Sequence, residues 1–280
     1  MSRLVAVPNV SEGRDEAVLD AIGAAFARHA DVLHVSADAD HHRAVFFLAG
    51  APGKLHRSLA AGAAAAAARI DLRVHDGLHP RVGALDVAPV VFLEEAQRGA
   101  AIAEALLAAD AIGAEGIPVF LYGELAAGRT RAELRKGGPA GLAARGTASD
   151  YGPAELHPTA GATLVAARPP LIAFNLELSP PATVEDARAI AALIREGGAE
   201  GMPGVRALGL HLDRRDVVQV STNVEDHRAV TATDVLTAVA RHRPVRKGEL
   251  VAPAPQAALA GWPAGVELRM PGAIEALLGR

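Results

Sequence analysis

Along the chain, short apolar runs of strand length alternate with longer stretches whose apolar residues recur every three or four positions. That alternation marks mixed α/β structure. The pattern predicts a strand over 4–7, an amphipathic helix over 16–29, and strands over 32–36 and 44–48. A helix over 54–69, a strand over 82–92, a helix over 96–112 and a strand over 119–122 follow. These elements begin in the order β-α-β-β-α-β. The stretch 137–158, rich in Gly, Pro and Arg, has no sustained period and is too long for an ordinary connection, so it reads as either disordered or functional, with the functional reading preferred. Beyond it come a strand over 170–178, a helix over 187–195, strands over 206–212 and 217–222, a helix over 233–241 and a short strand near Leu250. The second segment repeats β-α-β-β-α-β, so the fold expected is α/β (α+β), two similar split β-α-β, ferredoxin-like subdomains. Ser179-Pro-Pro-Ala182 is the expected boundary, because paired prolines cannot continue a central strand, giving subdomains 1–178 and 179–280.

Composition narrows the function. Half of the 280 residues are hydrophobic and 21% are charged, enough to bury a core, and with aromatics at 3% that core is built from Leu, Val, Ile and Ala. The same scarcity of aromatics, with a net charge of -4, leaves neither stacking platforms nor a basic footprint, so no nucleic acid and no membrane partner is expected. An acidic small molecule must then be held by local arginines. With no cysteine there is no disulfide framework, thiolate metal site or cysteine nucleophile. The first residues lack an apolar signal region, and the alanine-rich tract 59–68 is too short and weakly apolar to span a bilayer, so a cytoplasmic location is expected.

The densest chemistry is Val74-His-Asp-Gly-Leu-His-Pro-Arg-Val-Gly-Ala-Leu-Asp-Val87. Pro80 rules out a regular helix through His79, so His75 and His79 cannot share a helical face as paired zinc ligands do. Two readings of His79 stand: a turn residue solvated by Arg81, or a catalytic imidazole. A hydrolase site of His75, His79 and Asp86 around a metal is a weaker third. Asp38-Ala-Asp-His-His-Arg43 sits between two predicted strands, either as a solvated turn or as a strand-mouth site. In the second case Asp38 and Asp40 accept from a cationic amidine and Arg43 pairs with a carboxylate. In Val7-Pro-Asn-Val-Ser-Glu-Gly-Arg14, Ser11, Glu12 and Asp15 suit a helix start, while Asn9 and Glu12 are candidates to face a cleft. The glycine-bounded loop Gly152-Pro153-Ala154-Glu155-Leu156-His157-Pro158-Thr159-Ala160-Gly161 has neither the Walker lysine nor dinucleotide spacing, and suits wrapping a flat ring. Asn175, inside an apolar strand, must find partners if buried.

These residues carry a resemblance. Val-Pro-Asn-x-Ser-Glu-Gly-Arg, His-x-Gly-x-His-Pro-Arg-x-Gly-Ala-x-Asp-Val, Pro118-Val-Phe-Leu-Tyr-Gly-Glu124, Leu171-Ile-Ala-Phe-Asn175 and Gln219-Val-Ser-Thr-Asn223 occur in the order found in glutamate formimidoyltransferase. The chain resembles that family over nearly its whole length. The resemblance implies a homodimer of two-subdomain chains with folate in a groove between the subdomains. It further implies transfer of a formimidoyl group from N-formimidoyl-L-glutamate to tetrahydrofolate as co-substrate; on the histidine spacing no metal is expected. Carried over residue by residue, it makes His79 the general base and the 152–161 loop the folate-binding loop. Asn9, Glu12, Asp38, Asp40, Arg43 and Arg81 are then the substrate-binding candidates, and 280 residues leave no room for the cyclodeaminase domain of some relatives. The chain departs from the family pattern at Ser36, His42 and Leu78, which leaves open a relative that takes another formimidoyl donor or binds folate without turnover.

Overall fold

The computed structural model describes residues 3–279. The chain divides into two compact units, Met1–Arg168 and Pro169–Arg280. The first contains β1 (Leu4–Ala6), β2 (Asn9–Val10), α1 (Glu16–Phe26), β3 (Asp31–Asp38), β4 (Arg43–Gly50), α2 (Leu55–Ala67), β5 (Leu85–Val91), α3 (Arg98–Ala114), β6 (Val119–Leu121), α4 (Arg131–Arg135), α5 (Gly138–Ala144) and β7 (Thr163–Arg168). The second contains β8 (Ile172–Leu178), α6 (Val184–Ile194), β9 (Val205–Leu212), β10 (Val217–Val224), α7 (Ala232–Ala240), β11 (Val245–Leu250), β12 (Glu267–Arg269) and α8 (Ile274–Leu277).

Each unit is a split β-α-β sandwich. In the first, β4 pairs antiparallel with β3 and with β1, and β1 pairs antiparallel with β5, in the registers Val5↔Ala49 and Val5↔Val91. Two strands extend this kernel, β7 parallel to β5 and β6 parallel to β7. In the second unit the order is β12-β11-β8-β10-β9, so the first strand of the repeat lies at the centre in both. The predicted strands and long helices are all present with shifted ends, and the two-subdomain architecture holds.

Helix starts are written locally. Asp15 accepts from the Val18 N–H at the head of α1. Thr130 with Glu133, Thr183 with Asp186 and Thr231 with Asp234 form reciprocal capping boxes for α4, α6 and α7. Packing then selects faces: Leu19, Ile22 and Phe26 of α1 meet Leu55, Leu59 and Ala63 of α2 over Phe46 and Leu48 of β4. Gly62 is required there, since a Cβ would lie 2.0 Å from the Phe26 ring. Full burial of such a phenylalanine contributes about 1.5–3 kcal/mol.

Three expectations are corrected. The boundary expected at 179 leaves the strand over 170–178 in the first subdomain, but β8 pairs with β10 and β11 and belongs to the second unit. The break falls at Pro169-Pro170, where the proline argument applies equally well. Strand β7 was not expected at all. Buried along nearly its whole length and flanked by parallel neighbours, it shows no polar alternation to separate it from the loop before it. The 137–158 stretch is also partly ordered, with Leu142 of α5 buried against Leu134 and Tyr122. A seven-residue Gly/Pro/Ala helix is too short to declare a period, and tertiary contact holds it.

Candidate active site

The first unit brings three sequence motifs together, the loop after β1, the β3–β4 turn and the segment leading into β5. Asp86 is the hub. It lies on β5 with no exposure, accepting from the Val82 N–H at 2.8 Å and from Arg43 Nη1 at 2.8 Å, and it also accepts from Arg135 Nη2 of α4. Burial by itself would raise its carboxyl pKa, but Arg135 and Arg43 overcome that and hold it well below the usual carboxylate range. Burial in turn lowers Arg43 to about 10, still charged at neutral pH. Arg43 Nε donates to Asn9 Oδ1 at 3.0 Å, and Asn9 Nδ2 donates to the Val7 carbonyl at 2.9 Å.

His79 stands beside this pair. Its ring centroid lies 6.4 Å from that of His41, and its Nδ1 is 2.7 Å from the Pro80 carbonyl. A carbonyl only accepts, so Nδ1 carries the proton and Nε2 carries the free lone pair. Burial of the imidazole, followed by the charges of Arg43 and Arg135, pushes its pKa well below 6.5 and keeps it neutral. A neutral imidazole with a fixed tautomer can accept a proton at Nε2.

The surrounding turn is held by a second set of histidines. His42 sits in the left-handed region at φ 48, and its ring stacks on His75 with centroids 4.1 Å apart and planes inclined by 24°. Gly77 N–H donates to His75 Nδ1 at 3.2 Å, which leaves His75 Nε2–H to donate to the His42 carbonyl at 3.2 Å. Burial, with Arg81 and His42, lowers the His75 pKa to about 4. Gly77 cannot be larger, because a Cβ would come within 2.5 Å of the His41 carbonyl and 2.6 Å of His42 Cβ. Arg81 donates to the Gly77 carbonyl across the loop.

Against the sequence expectations, the candidate residues separate into groups. His79, Arg43, Asn9 and Arg81 come together around Asp86. Arg43, however, spends its Nε and Nη1 on Asn9 and Asp86 and is 8% exposed, so its fork serves the protein's interior rather than a substrate carboxylate. Glu12 Oε1 accepts from the N–H groups of Gly13, Arg14 and Asp15 at 2.7–3.0 Å, the helix-start reading, and lies 3.3 Å from His42 Nδ1. Glu12, Arg14 and His42 also line an open pocket of about 560 Å³. Asp38 accepts from the His41 N–H at 2.8 Å and faces its ring, and Asp40 is buried.

The 152–161 loop is sewn to this region by backbone bonds from Leu72 to Thr159 and from Ala84 to Ala160, each at 2.8 Å. Its bounding glycines serve the fold. At Gly161, φ 69, a Cβ would lie 2.0 Å from the Val82 carbonyl, and at Gly152, φ 77, one would lie 2.8 Å from Gly113 Cα. The close approach that requires glycine is made by the chain's own backbone. Pro153, Ala154, Glu155 and Pro158 are the exposed part of the loop, while Leu156, His157 and Thr159 are half-buried and Ala160 is buried.

The metal reading of His75, His79 and Asp86 does not survive the geometry. Among the described residues no group of three or more His, Asp or Glu side chains is placed to hold an ion, and the Asp86 oxygens face two guanidiniums and an N–H. Sequence reasoning missed Arg131, Arg135 and the central place of Asp86. A charge inside the uninterrupted apolar run of β5 was a usable signal, since a buried carboxylate needs paired cations. Nothing local pointed to Arg135, which α4 delivers from 49 positions away.

Comparison with known proteins reaches both halves of the chain. The N-terminal subdomain model of the formiminotransferase domain matches residues 3–168, and the formiminotransferase domain model matches 173–251. A glutamate formimidoyltransferase of Streptococcus pyogenes is 37% identical over 235 residues, covering 80% of this chain and 78% of that protein. One from Thermoplasma acidophilum is 33% identical over 240 residues, with 81% and 78% covered. The formimidoyltransferase-cyclodeaminase of Sus scrofa is 38% identical over 246 residues, but the match covers only 44% of that longer protein. With both halves of the domain matched, and more than two thirds of relatives above 30% identity covered, the chain belongs to the formiminotransferase family.

Proposed function

We propose that this chain transfers a formimidoyl group from N-formimidoyl-L-glutamate to N5 of tetrahydrofolate, releasing glutamate, with His79 as the general base. The observation that carries the reading is the neutral His79 imidazole, its Nδ1–H fixed on the Pro80 carbonyl and its Nε2 left basic. The names of the Streptococcus and Thermoplasma relatives support the same transfer.

In the step assigned to His79, the N5 lone pair attacks the amidine carbon and Nε2 takes the N5 proton. The imidazolium returns that proton to the glutamate nitrogen as the bond from carbon to that nitrogen breaks. The residue is regenerated and no covalent enzyme intermediate is needed. Such general acid–base catalysis contributes roughly 10² to 10⁴-fold. Orientation of the two substrates contributes more, about 7–11 kcal/mol. Arg43 and Asp86 act through His79: they are too buried to touch substrate, and their charges set its basicity. For the folate we assign the exposed rim Pro153 to Glu155 with Pro158, the part of the loop not consumed by internal packing.

The test is formation of 5-formimidoyltetrahydrofolate from tetrahydrofolate and a panel of formimidoyl amino acids. Wild type forms it from the glutamate derivative, and His79→Ala abolishes formation with the fold and folate affinity retained. Near wild-type turnover in that variant would overturn the assignment.

A further inference from the structure

Two imidazoles stand side by side in the first unit, His79 and His41 of the β3–β4 turn, with ring centroids 6.4 Å apart and planes inclined by 56°. Asp38 holds His41 twice. The His41 N–H donates to Asp38 Oδ1 at 2.8 Å, and the ring Nδ1 lies 2.9 Å from the same oxygen. A carboxylate oxygen only accepts, so Nδ1 carries the proton and Nε2 of the neutral ring keeps a lone pair. The Pro80 carbonyl imposes the same tautomer on His79. Neither Nε2 meets a hydrogen-bond partner among the described residues. Main-chain packing sets the spacing of the two rings. The Leu78 N–H donates to the Asp40 carbonyl at 3.3 Å, and Gly77 passes so near the turn that a Cβ there would lie 2.5 Å from the His41 carbonyl.

The charges felt by His79 are Arg43 of β4, Asp86 of β5, Arg135 of α4 and His41 of the turn, while His41 itself faces Asp38 of β3. Both arginines oppose the imidazolium that His79 becomes when it takes a proton. A neighbouring lone pair offsets that opposition, because one proton added to two bare acceptors makes a charge-assisted hydrogen bond. A second proton is resisted by like charge, so the two rings titrate as a pair. We propose that His41, backed by Asp38, is a positioning residue that holds the His79 imidazolium: once Nε2 of His79 takes the N5 proton, the new Nε2–H donates to Nε2 of His41, directly or through one bridging water. The inference rests on the formimidoyl-transfer reading. The proton count balances, since the pair takes one proton from N5 and gives one to the departing glutamate nitrogen, and His41 forms no bond to carbon.

The experiment reads the pair with and without turnover. In His41→Phe the lone pair is lost, so His79 becomes a weaker base. The acid limb of kcat/KM should move down by about one pH unit and kcat should fall about tenfold, while the tetrahydrofolate KM stays near wild type. Asp38→Asn keeps an acceptor for His41 but removes the anion behind it, and should move the limb the same way by less. A purely structural role leaves the limb in place, and a His41 that acts only as a nearby positive charge moves it up on removal. Either result in His41→Phe, or in Asp38→Asn if the first variant does not fold, overturns the proposal. Nitrogen NMR of histidine-labelled wild type, titrated without substrates, tests the pair apart from transfer. Both rings should show the Nδ1–H tautomer at neutral pH and titrate in two coupled steps; independent titration of the two rings overturns the proposal. Coupled rings in a protein that forms no 5-formimidoyltetrahydrofolate refute the functional reading and leave the pair standing.

Discussion

Asp86→Asn is the most informative single change in the first unit. It keeps the side-chain volume and an acceptor for the Val82 N–H, yet removes the carboxylate that Arg43 and Arg135 share. Breaking a buried pair by deleting one partner costs about 3–5 kcal/mol, because the remaining charge stays desolvated without compensation. Here two cations are left, and Asp86 has no exposure, so the upper part of that range is expected. With a urea m-value of about 2 kcal/mol/M, the midpoint falls by about 2 M. The assay must report the correct unit. The single tryptophan, Trp262, is half-buried against the core of the second unit, so amide exchange of β5 is the measurement to make. A companion variant isolates the cause: replacing Arg43 and Arg135 with Met and Asp86 with Leu together removes all three charges of the buried ion-pair set, and should recover most of the lost stability. If Asp86→Asn lies within about 0.5 kcal/mol of wild type, the hub is not electrostatically coupled and the account of His79 basicity fails with it.

Other outcomes follow from the same geometry. Because burial and the charges of Arg43 and Arg135 lower the His79 pKa, the acid limb of kcat/KM should lie below pH 6.5, and Arg135→Met should move it upward; a downward shift would contradict the sign. His75, His42 and His79 all have lowered pKa values, so the unfolded chain binds more protons below pH 6.5. Stability should fall as pH drops from 6.5 toward 4, and a urea series should show a shallower fall for His75→Gln. At His42, φ 48, Asn and Val both lose the stack on His75, but Asn tolerates the left-handed backbone, so Val should cost about 1–2 kcal/mol more than Asn in a thermal melt. Gly161→Ala should unfold the first unit, while Gly53→Ala, also at positive φ but with open space around it, should cost only about 1 kcal/mol. Equal losses would mean that backbone conformation, rather than the contact with Val82, requires the glycine.

What the sequence determined alone is what is encoded locally. Three- and four-residue spacing with capping residues wrote α1, α6 and α7, and polar turns at Asp38–Arg43 and Asp213–Asp216 wrote the hairpins between β3 and β4 and between β9 and β10. The tautomer of His79 is nearly local as well, since Pro80, the next residue, supplies the carbonyl. Tertiary structure decided the rest. β7 could not be read because a strand buried in a parallel sheet carries no alternation, and the boundary was ambiguous because two proline pairs gave the same local signal while only strand pairing selects between them. Arg43 looked like a substrate clamp in the sequence and became an internal partner of Asp86, because a guanidinium's role depends on which carboxylate meets it. Gly152 and Gly161 suited close approach of a ligand, and the backbone of Gly113 and Val82 occupies that space instead. The basicity of His79 is the furthest from the sequence. It is set by burial and by Arg135, 56 positions along the chain, and electrostatic energies follow distance in space, which only the folded chain defines.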